Sequence, residues 1–277
     1  GRGDLEPYLT RRPRALLPQL GQTERPDKFA GALLDGCVGL LVDGLPMGYL
    51  LPTTFRLLMH TPEDEAHNYL LASALIVLRY FALALSLTFP ALYVAVAMYH
   101  QEMIPAKLLL SVIQAKQQVP FSVPAIILFM LIAFELLQEA GLRLPKPIGH
   151  SVSLVSALII GDAAVGAGIL STPVVIVAAL TSLAVFVLPS MYEPLTILRI
   201  LFVLAAGLCG PLGVAALLVW MLTSICGAES FGLPHAAPFS PWQRGAVRDG
   251  LMRWPWPVLV DHPFTVRAVK RGGGHHR

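Results

Sequence analysis

Charged residues are scarce in this sequence: Asp, Glu, Lys and Arg make up only 13% of its 277 residues, against about 25% in a typical soluble domain. The formal net charge is +3, and no block of basic residues indicates nucleic acid binding. The three cysteines, Cys37, Cys209 and Cys226, have no metal-ligand spacing and no even count. They indicate neither a metal site nor a disulfide framework, and we interpret Cys209 and Cys226 as packing residues.

Catalytic motifs are also missing from the chain. The sequence has no Gly-x-Ser-x-Gly nucleophile elbow, no His-Glu-x-x-His pair and no phosphate-binding P-loop. We therefore predict a protein that is not an enzyme and that has no catalytic residues, no cofactor and no metal.

Long apolar runs dominate instead, and 55% of the residues are hydrophobic. The first run begins near Leu71, and between Ala72 and Tyr99 its only charge is Arg79. A helix rises ~1.5 Å per residue, so this run outreaches a hydrocarbon core ~30 Å thick. The pattern predicts a membrane protein embedded in a lipid bilayer.

Four membrane spans fit the hydrophobic pattern, at about 72–99, 122–141, 172–189 and 195–225. The run 151–189 is interrupted by glycines and has two interpretations. It forms either two close antiparallel spans, which makes five in all, or a re-entrant half-helix followed by one full span; we favour the second. The Gly210-Pro211 pair predicts a kink in the last span.

The distribution of Lys and Arg predicts the orientation of the chain. Seven of them precede Ala72 and seven follow Cys226, whereas the turn 190–194 has none. Cytoplasmic segments carry the excess of positive charge in membrane proteins. We therefore expect both termini in the cytoplasm and an even number of spans.

The residues before the first span predict a small αβ unit. A helix, a strand, an Asp43-Gly44 turn and a second strand fit residues 25–70, a unit too small to fold alone. The acidic run 62–65 is typical of a solvated helix face.

The predicted fold is mainly α, a polytopic helical membrane bundle preceded by the end of a cytoplasmic αβ domain. The predicted domains are a linker or the end of a missing region (1–24), the αβ remnant (25–70), the transmembrane domain (71–226) and a cytoplasmic tail (227–277).

Several short motifs, in the same order, resemble one known family. They are Arg25-Pro-Asp-Lys28, Leu41-Val-Asp-Gly44, His100-Gln-Glu-Met-Ile-Pro105, the stretch 134–145 and Ser230-Phe-Gly-Leu-Pro234. Together they resemble the A subunit of the GerA spore germination proteins, or the related SpoVAF-like accessory proteins, over roughly residues 24–258. The chain departs from the family where it has Asp162 in place of the usual Gln, and where the long cytoplasmic domain ahead of this segment is largely absent.

The resemblance implies a function. It implies the membrane subunit of a nutrient germinant receptor in the inner spore membrane, which oligomerises with copies of itself and contributes to an ion-release path. The implied partners are a transporter-like B-type subunit and a lipoprotein C-type subunit. Two alternatives stay open: an accessory or scaffolding membrane protein of the same family, and a secondary transporter that acts alone, for which no internal repeat is evident.

Ionisable residues inside the apolar runs are the candidate functional residues, because a charge at the bilayer centre is costly and usually faces a partner or water. The candidates for a pore or an intramembrane polar path are Glu135, Asp162, Arg79, Glu139 and Arg199. The two arginines and Asp162 are candidate partners of the glutamates. Arg79, Glu139 and Arg199 lie near span ends, where snorkelling or structural pairing is the alternative.

Overall fold

The computed structural model describes residues 16–117, 119–143, 161–240 and 250–253. By their backbone contacts these residues fall into two units. The first unit contains the residues up to Phe81, the segment Leu188–Pro194 and the residues from Val219 on. The second unit contains Ala82–Val187 and Leu195–Leu218.

A three-stranded antiparallel sheet and one helix begin the first unit. The elements are β1 (Gly21–Thr23), α1 (Pro26–Leu34), β2 (Val38–Leu41) and β3 (Gly48–Leu51), and β3 lies between β1 and β2. The predicted order of helix, strand, turn and strand is confirmed, with Val38 opposite Leu51. Strand β1 lies in residues 1–24, which were predicted to be a linker or the end of a missing region.

Local chemistry explains the bounds of α1. Pro26 occupies the first turn, where its missing N–H is not needed, and Asp27 places a negative charge at the positive end of the helix. Gly36 follows the helix with a φ of 93°, a conformation that glycine adopts at little cost. Helix α1 therefore begins and ends where its sequence predicts.

The ring of Phe29 packs α1 onto the sheet. A Cβ atom at Gly39 would lie 2.3 Å from the ring, and a Cβ at Gly48 would lie 2.6 Å from it. Gly39 lies opposite Leu50 and Gly48 lies opposite Leu41 in the paired strands, and both glycines leave the ring the space that side chains would fill. Behind this contact lies a small core of Ala32, Cys37 and Leu50.

Residues after the last long helix complete the first unit. Two short helices, α2 (Phe55–Met59) and α3 (Glu63–Ala66), follow the sheet, and the short strands β4 (Glu229–Ser230) and β5 (Leu233–Pro234) pair with each other. The Ser230 hydroxyl accepts a hydrogen bond from the Thr53 amide (3.2 Å) and donates to the Gln19 carbonyl (3.1 Å). The rings of Phe55, Tyr80 and Phe239 stack edge-on or tilted, about 6 Å apart.

Long apolar helices make this a membrane protein. Three helices contain segments long and apolar enough to cross a bilayer: α4 (Tyr69–Tyr99), α6 (Val123–Arg143) and α8 (Tyr192–Cys226). In each helix, at most 33% of the most apolar 18-residue segment is buried within the chain. The amphipathic helix α5 (Ala106–Gln117) follows α4 and precedes α6 in the sequence. The chain thus presents apolar helix surface outward, as a lipid-facing protein does.

The third predicted span, 172–189, corresponds to the shorter helix α7 (Thr172–Phe186). Its 15 residues measure ~22 Å, less than a hydrocarbon core of ~30 Å. Helical backbone also covers 161–166, and Gly168 follows with a φ of 69°. Most of the predicted re-entrant half-helix, 151–160, lies outside the described residues, so the span count stays a prediction.

Buried stripes at helical spacing hold the second unit together. Helices α6 and α7 pack against each other. The buried residues of α7 recur three and four positions apart, at Val174, Val177, Ala178, Thr181, Ser182 and Val185. Helix α8 buries a similar stripe, and its backbone breaks at Gly210, with φ 61° and ψ −145°, directly before Pro211. The predicted kink is confirmed.

Candidate functional site

An ion pair joins two of the predicted polar residues in the second unit. The guanidinium of Arg199, on α8, donates to the carboxylate of Glu135, on α6. The hydroxyl of Thr196 donates a second hydrogen bond to the same carboxylate over 3.1 Å. The Arg199 side chain is 3% exposed and that of Glu135 25% exposed, so the pair lies largely inside the packed helices.

The position of Arg199 on its helix explains this burial. Leu195, Leu198, Phe202 and Val203 form the buried stripe of α8, and Arg199 lies within it. A side chain on that stripe points toward neighbouring helices, so it meets a partner instead of reaching an interface. The charges of Arg199 and Glu135 therefore compensate each other within the bundle.

Arg79 has its own partner in the first unit. Its guanidinium donates to both carboxylate oxygens of Asp64, with 2.9 Å between Nη2 and Oδ1. It also donates to the Thr61 hydroxyl (3.0 Å) and to the Met59 carbonyl (3.1 Å). Such a fork-shaped pairing fixes the geometry of both side chains. Arg79 thus pairs structurally, which was one of its two sequence interpretations.

Asp64 is the residue that sequence reasoning missed. It lies in the acidic run predicted as a solvated face, yet its side chain is 2% exposed. Burial alone would raise the pKa of this carboxyl, but the hydrogen bonds from Arg79 and from the Thr61 amide outweigh that effect and hold the pKa below its ordinary value. One feature of the sequence could have indicated this role for Asp64: Arg79 is the only charged residue between Ala72 and Tyr99, so it needs a partner of opposite charge.

A short segment near the C-terminus binds beside this pair. The Gly250 carbonyl accepts a hydrogen bond from the Tyr80 hydroxyl (2.9 Å) and lies 3.3 Å from Nε2 of His60. The Arg253 amide donates to the Ser73 hydroxyl (3.0 Å), and the Arg253 guanidinium donates to the Asp64 carbonyl. Residues 250–253 are therefore fixed to the start of α4 by polar contacts.

The remaining two candidates are exposed. Glu139 lies four residues after Glu135 on α6, and it faces outward. Asp162 is exposed in the helical stretch 161–166, and a Cβ at its neighbour Gly161 would meet Val175 of α7 at 3.6 Å. The five candidates thus do not converge on one site: two pair in the second unit, one pairs in the first, and two face outward.

A buried histidine is a further polar group that the sequence did not single out. His235 is 2% exposed, and its Nε2 atom has no hydrogen-bond partner among the described residues. Burial lowers its pKa to about 4, against the weaker effect of a hydrogen bond with the backbone of Thr53. The ring is therefore neutral at physiological pH.

The cysteines differ from their predicted environments. Cys209 and Cys226, interpreted as packing residues, are both exposed, because they lie on outward faces of α8. Cys37 is buried, and burial raises the pKa of its thiol to about 11. A thiol with so high a pKa is a poor nucleophile at neutral pH.

Comparison with known proteins identifies the family. The family described as "Bacillus/Clostridium GerA spore germination protein" matches residues 1–265. The chain belongs to the GerA family. The resemblance read from the short motifs is thereby confirmed over nearly the whole chain.

Named relatives of this GerA-family chain agree with the assignment. It is 40% identical over 98% of its length to the "Uncharacterized membrane protein YfkQ" of Bacillus subtilis (strain 168), and the match covers 53% of that protein. It is 38% identical over 90% of its length to "Spore germination protein KA" of the same organism, covering 46% of it. Identity to "Spore germination protein GerLA" of Bacillus cereus is 35%, over 94% of this chain and 54% of the relative.

The matches cover only part of each relative. The chain spans about half the length of the curated relatives it matches. No solved structure matches it. The family of the chain and its membrane character are thus established.

Proposed function

We propose that this chain is the membrane region of an A-type subunit of a spore germinant receptor. The observation that carries the proposal is the match to the GerA family from residue 1 to residue 265. In this role the protein is not an enzyme. It binds B-type and C-type subunits, forms oligomers with its own copies in the inner spore membrane, and contributes to an ion-release path.

The distribution of charge supports different roles for the polar residues inside the apolar runs. A compensated pair such as Glu135 with Arg199 holds α6 to α8 and offers no free charge to a passing ion. Asp162 is exposed beside a glycine-rich stretch, so in an oligomer it can face water or a neighbouring subunit. We therefore assign a structural role to the pair and the ion path to Asp162.

The outward apolar surface supports assembly within a membrane. In each of the three long apolar helices, at least two thirds of the most apolar 18-residue segment is not buried within the single chain. That surface is available to lipid and to other subunits. The cation distribution supports cytoplasmic positions for both termini. The amphipathic α5 fits a position in the membrane interface.

Copurification from sporulating cells tests the assembly. The full-length protein that contains this chain is expressed with an affinity tag from its own locus, and the detergent extract is analysed by mass spectrometry. We expect B-type and C-type germination subunits to copurify, together with an untagged second copy of the protein. A tagged protein that elutes alone as a monomer would contradict the receptor proposal.

A further inference from the structure

The break in α8 leaves a backbone carbonyl without its helical donor. In a regular helix the amide of residue 211 would donate to the carbonyl of Gly207, but Pro211 has no N–H. Gly210 has φ 61° and ψ −145°, so the helical path stops there and resumes in another direction. Hydrocarbon supplies no water to such a carbonyl, so a broken membrane helix needs a donor from a neighbouring element.

Tyr99, at the end of α4, supplies that donor. Its hydroxyl lies 2.9 Å from the Gly207 carbonyl and 3.2 Å from the Leu208 carbonyl, so one proton is shared between the two oxygens. The Tyr99 ring also occupies the space beside Gly210, where a Cβ would lie 3.0 Å from ring atoms. One side chain thus binds both the carbonyls and the backbone of the break.

Gly213 provides independent evidence that the bend is sharp. A Cβ at Gly213 would lie 2.3 Å from the carbonyl oxygen of Ala205. Eight residues of straight helix would separate these positions by ~12 Å. Because the obstructing atom is a backbone oxygen, rotation of a side chain cannot relieve the contact, and only glycine fits the bent arrangement.

We propose that Tyr99 is a positioning residue that latches α8 in its bent form. Gly210 and Gly213 permit the bend, Pro211 removes the competing helical hydrogen bond, and the Tyr99 hydroxyl replaces it. Release of the hydroxyl removes from the Gly207 carbonyl the donor that replaces the missing amide of Pro211. The hydrogen bond therefore favours one orientation of residues 211–218 relative to residues 195–209. This inference does not depend on the proposed receptor function.

Spin-label distances measure the latch directly. The cysteines of the protein are first replaced by alanine, and spin labels are then attached at positions 197 and 216. Ile197 lies before the break and Ala216 after it, and both are exposed. The labelled protein is measured in lipid nanodiscs. A straight helix would place their backbones ~28 Å apart. With Tyr99 present we expect one narrow distribution, shorter than that distance.

Removing the hydroxyl should release the bend. In Tyr99→Phe the ring remains, and we expect a broader distribution with a second population near the straight-helix value. Gly213→Ala should give the same shift, whereas Gly166→Ala, where a Cβ meets no atom within 4 Å, should leave the distance unchanged. Identical distributions for the wild type and Tyr99→Phe would overturn the proposal.

A compensating variant keeps the test informative if Tyr99→Phe fails to accumulate in the membrane. In the double variant Tyr99→Phe/Pro211→Ala, the amide of residue 211 can again donate to the Gly207 carbonyl. We expect this variant to accumulate at wild-type levels and to show the straight-helix distance. Failure of both variants to accumulate would contradict the latch, since it would mean that Tyr99 is needed for a reason unrelated to the missing amide.

Discussion

The guanidinium of Arg199, on α8, lies against the carboxylate of Glu135, on α6, and both helices are predominantly apolar. Each charge is costly in this environment and is compensated by the other, and the Glu135 carboxylate also accepts a hydrogen bond from the Thr196 hydroxyl. Replacing one member leaves an uncompensated buried charge, which typically costs about 3–5 kcal/mol, whereas replacing both removes the charge altogether. The pair therefore makes the stability of the bundle depend on two residues jointly.

A double-mutant cycle tests this dependence. We expect Arg199→Met and Glu135→Gln each to lower the stability of the protein in detergent by about 3 kcal/mol, and the double variant to lose much less than the sum. Asp43→Asn, an exposed carboxylate in the turn between β2 and β3, serves as the control and should stay within about 0.5 kcal/mol. Additive losses in the double variant would show that the two charges do not interact.

Asp64 provides the second test, in the first unit. Asp64→Asn should destabilise this unit by about 3 kcal/mol, because the largely buried Arg79 loses its counter-charge. Glu63→Gln is the matched control: Glu63 pairs with Arg25 at the exposed surface, so its loss should cost under about 1 kcal/mol. Hydrogen exchange of the β3 amides reports both effects, and equal protection in the two variants would contradict the assignment.

His235 predicts a pH dependence of the same unit. Its pKa in the folded chain is about 4, below the ordinary value of about 6.5, so the unfolded chain binds more protons between these values. The contribution of the neutral His235 ring to the free energy of unfolding is therefore fully present above about pH 6.5. It is lost as the pH is lowered toward 4, and the loss is at most on the order of 3 kcal/mol. His235→Gln should lack this dependence. An imidazole that titrates near pH 6.5 by NMR would exclude the mechanism.

The contact of Phe29 with two glycines gives a steric prediction. Gly48→Ala places a methyl group 2.6 Å from the ring, so we expect a loss of about 1–3 kcal/mol as the ring is displaced. Gly31→Ala is the control, since a Cβ there meets no atom within 4 Å and alanine favours the helix by about 0.5–1 kcal/mol. The prediction fails if thermal unfolding shows that both variants change stability in the same direction.

Patterns within single segments predicted much of this fold. The period of the apolar residues located the long helices, and Asp43-Gly44 located the hairpin, because both depend on residues close in sequence. The Gly210-Pro211 break was predictable for the same reason. Strand β1 was missed because three residues carry too little pattern, and it forms only by pairing with β3.

The partners of the charged residues were harder to predict. The sequence indicated that Arg79 and Arg199 needed partners, but the pairing of Arg79 with Asp64, and of Arg199 with Glu135, depends on which helix faces are buried. Tyr99 and Gly207 are 108 residues apart, and no local pattern connects a tyrosine at a helix end with a distant proline. Long-range polar contacts of this kind follow from the packing of the helices.

Ion release from spores tests the central claim most directly. Spores are prepared in which the only A-type gene encodes the full-length protein that contains this chain, as wild type, Asp162→Asn, the matched control Asp43→Asn, or a deletion. Ions released into the medium after nutrient addition are followed with ion-selective electrodes, and protein levels are matched by immunoblot. We predict release from wild-type and Asp43→Asn spores, an altered rate with Asp162→Asn, and none from the deletion. Equal release from wild-type and deletion spores would contradict the proposed function.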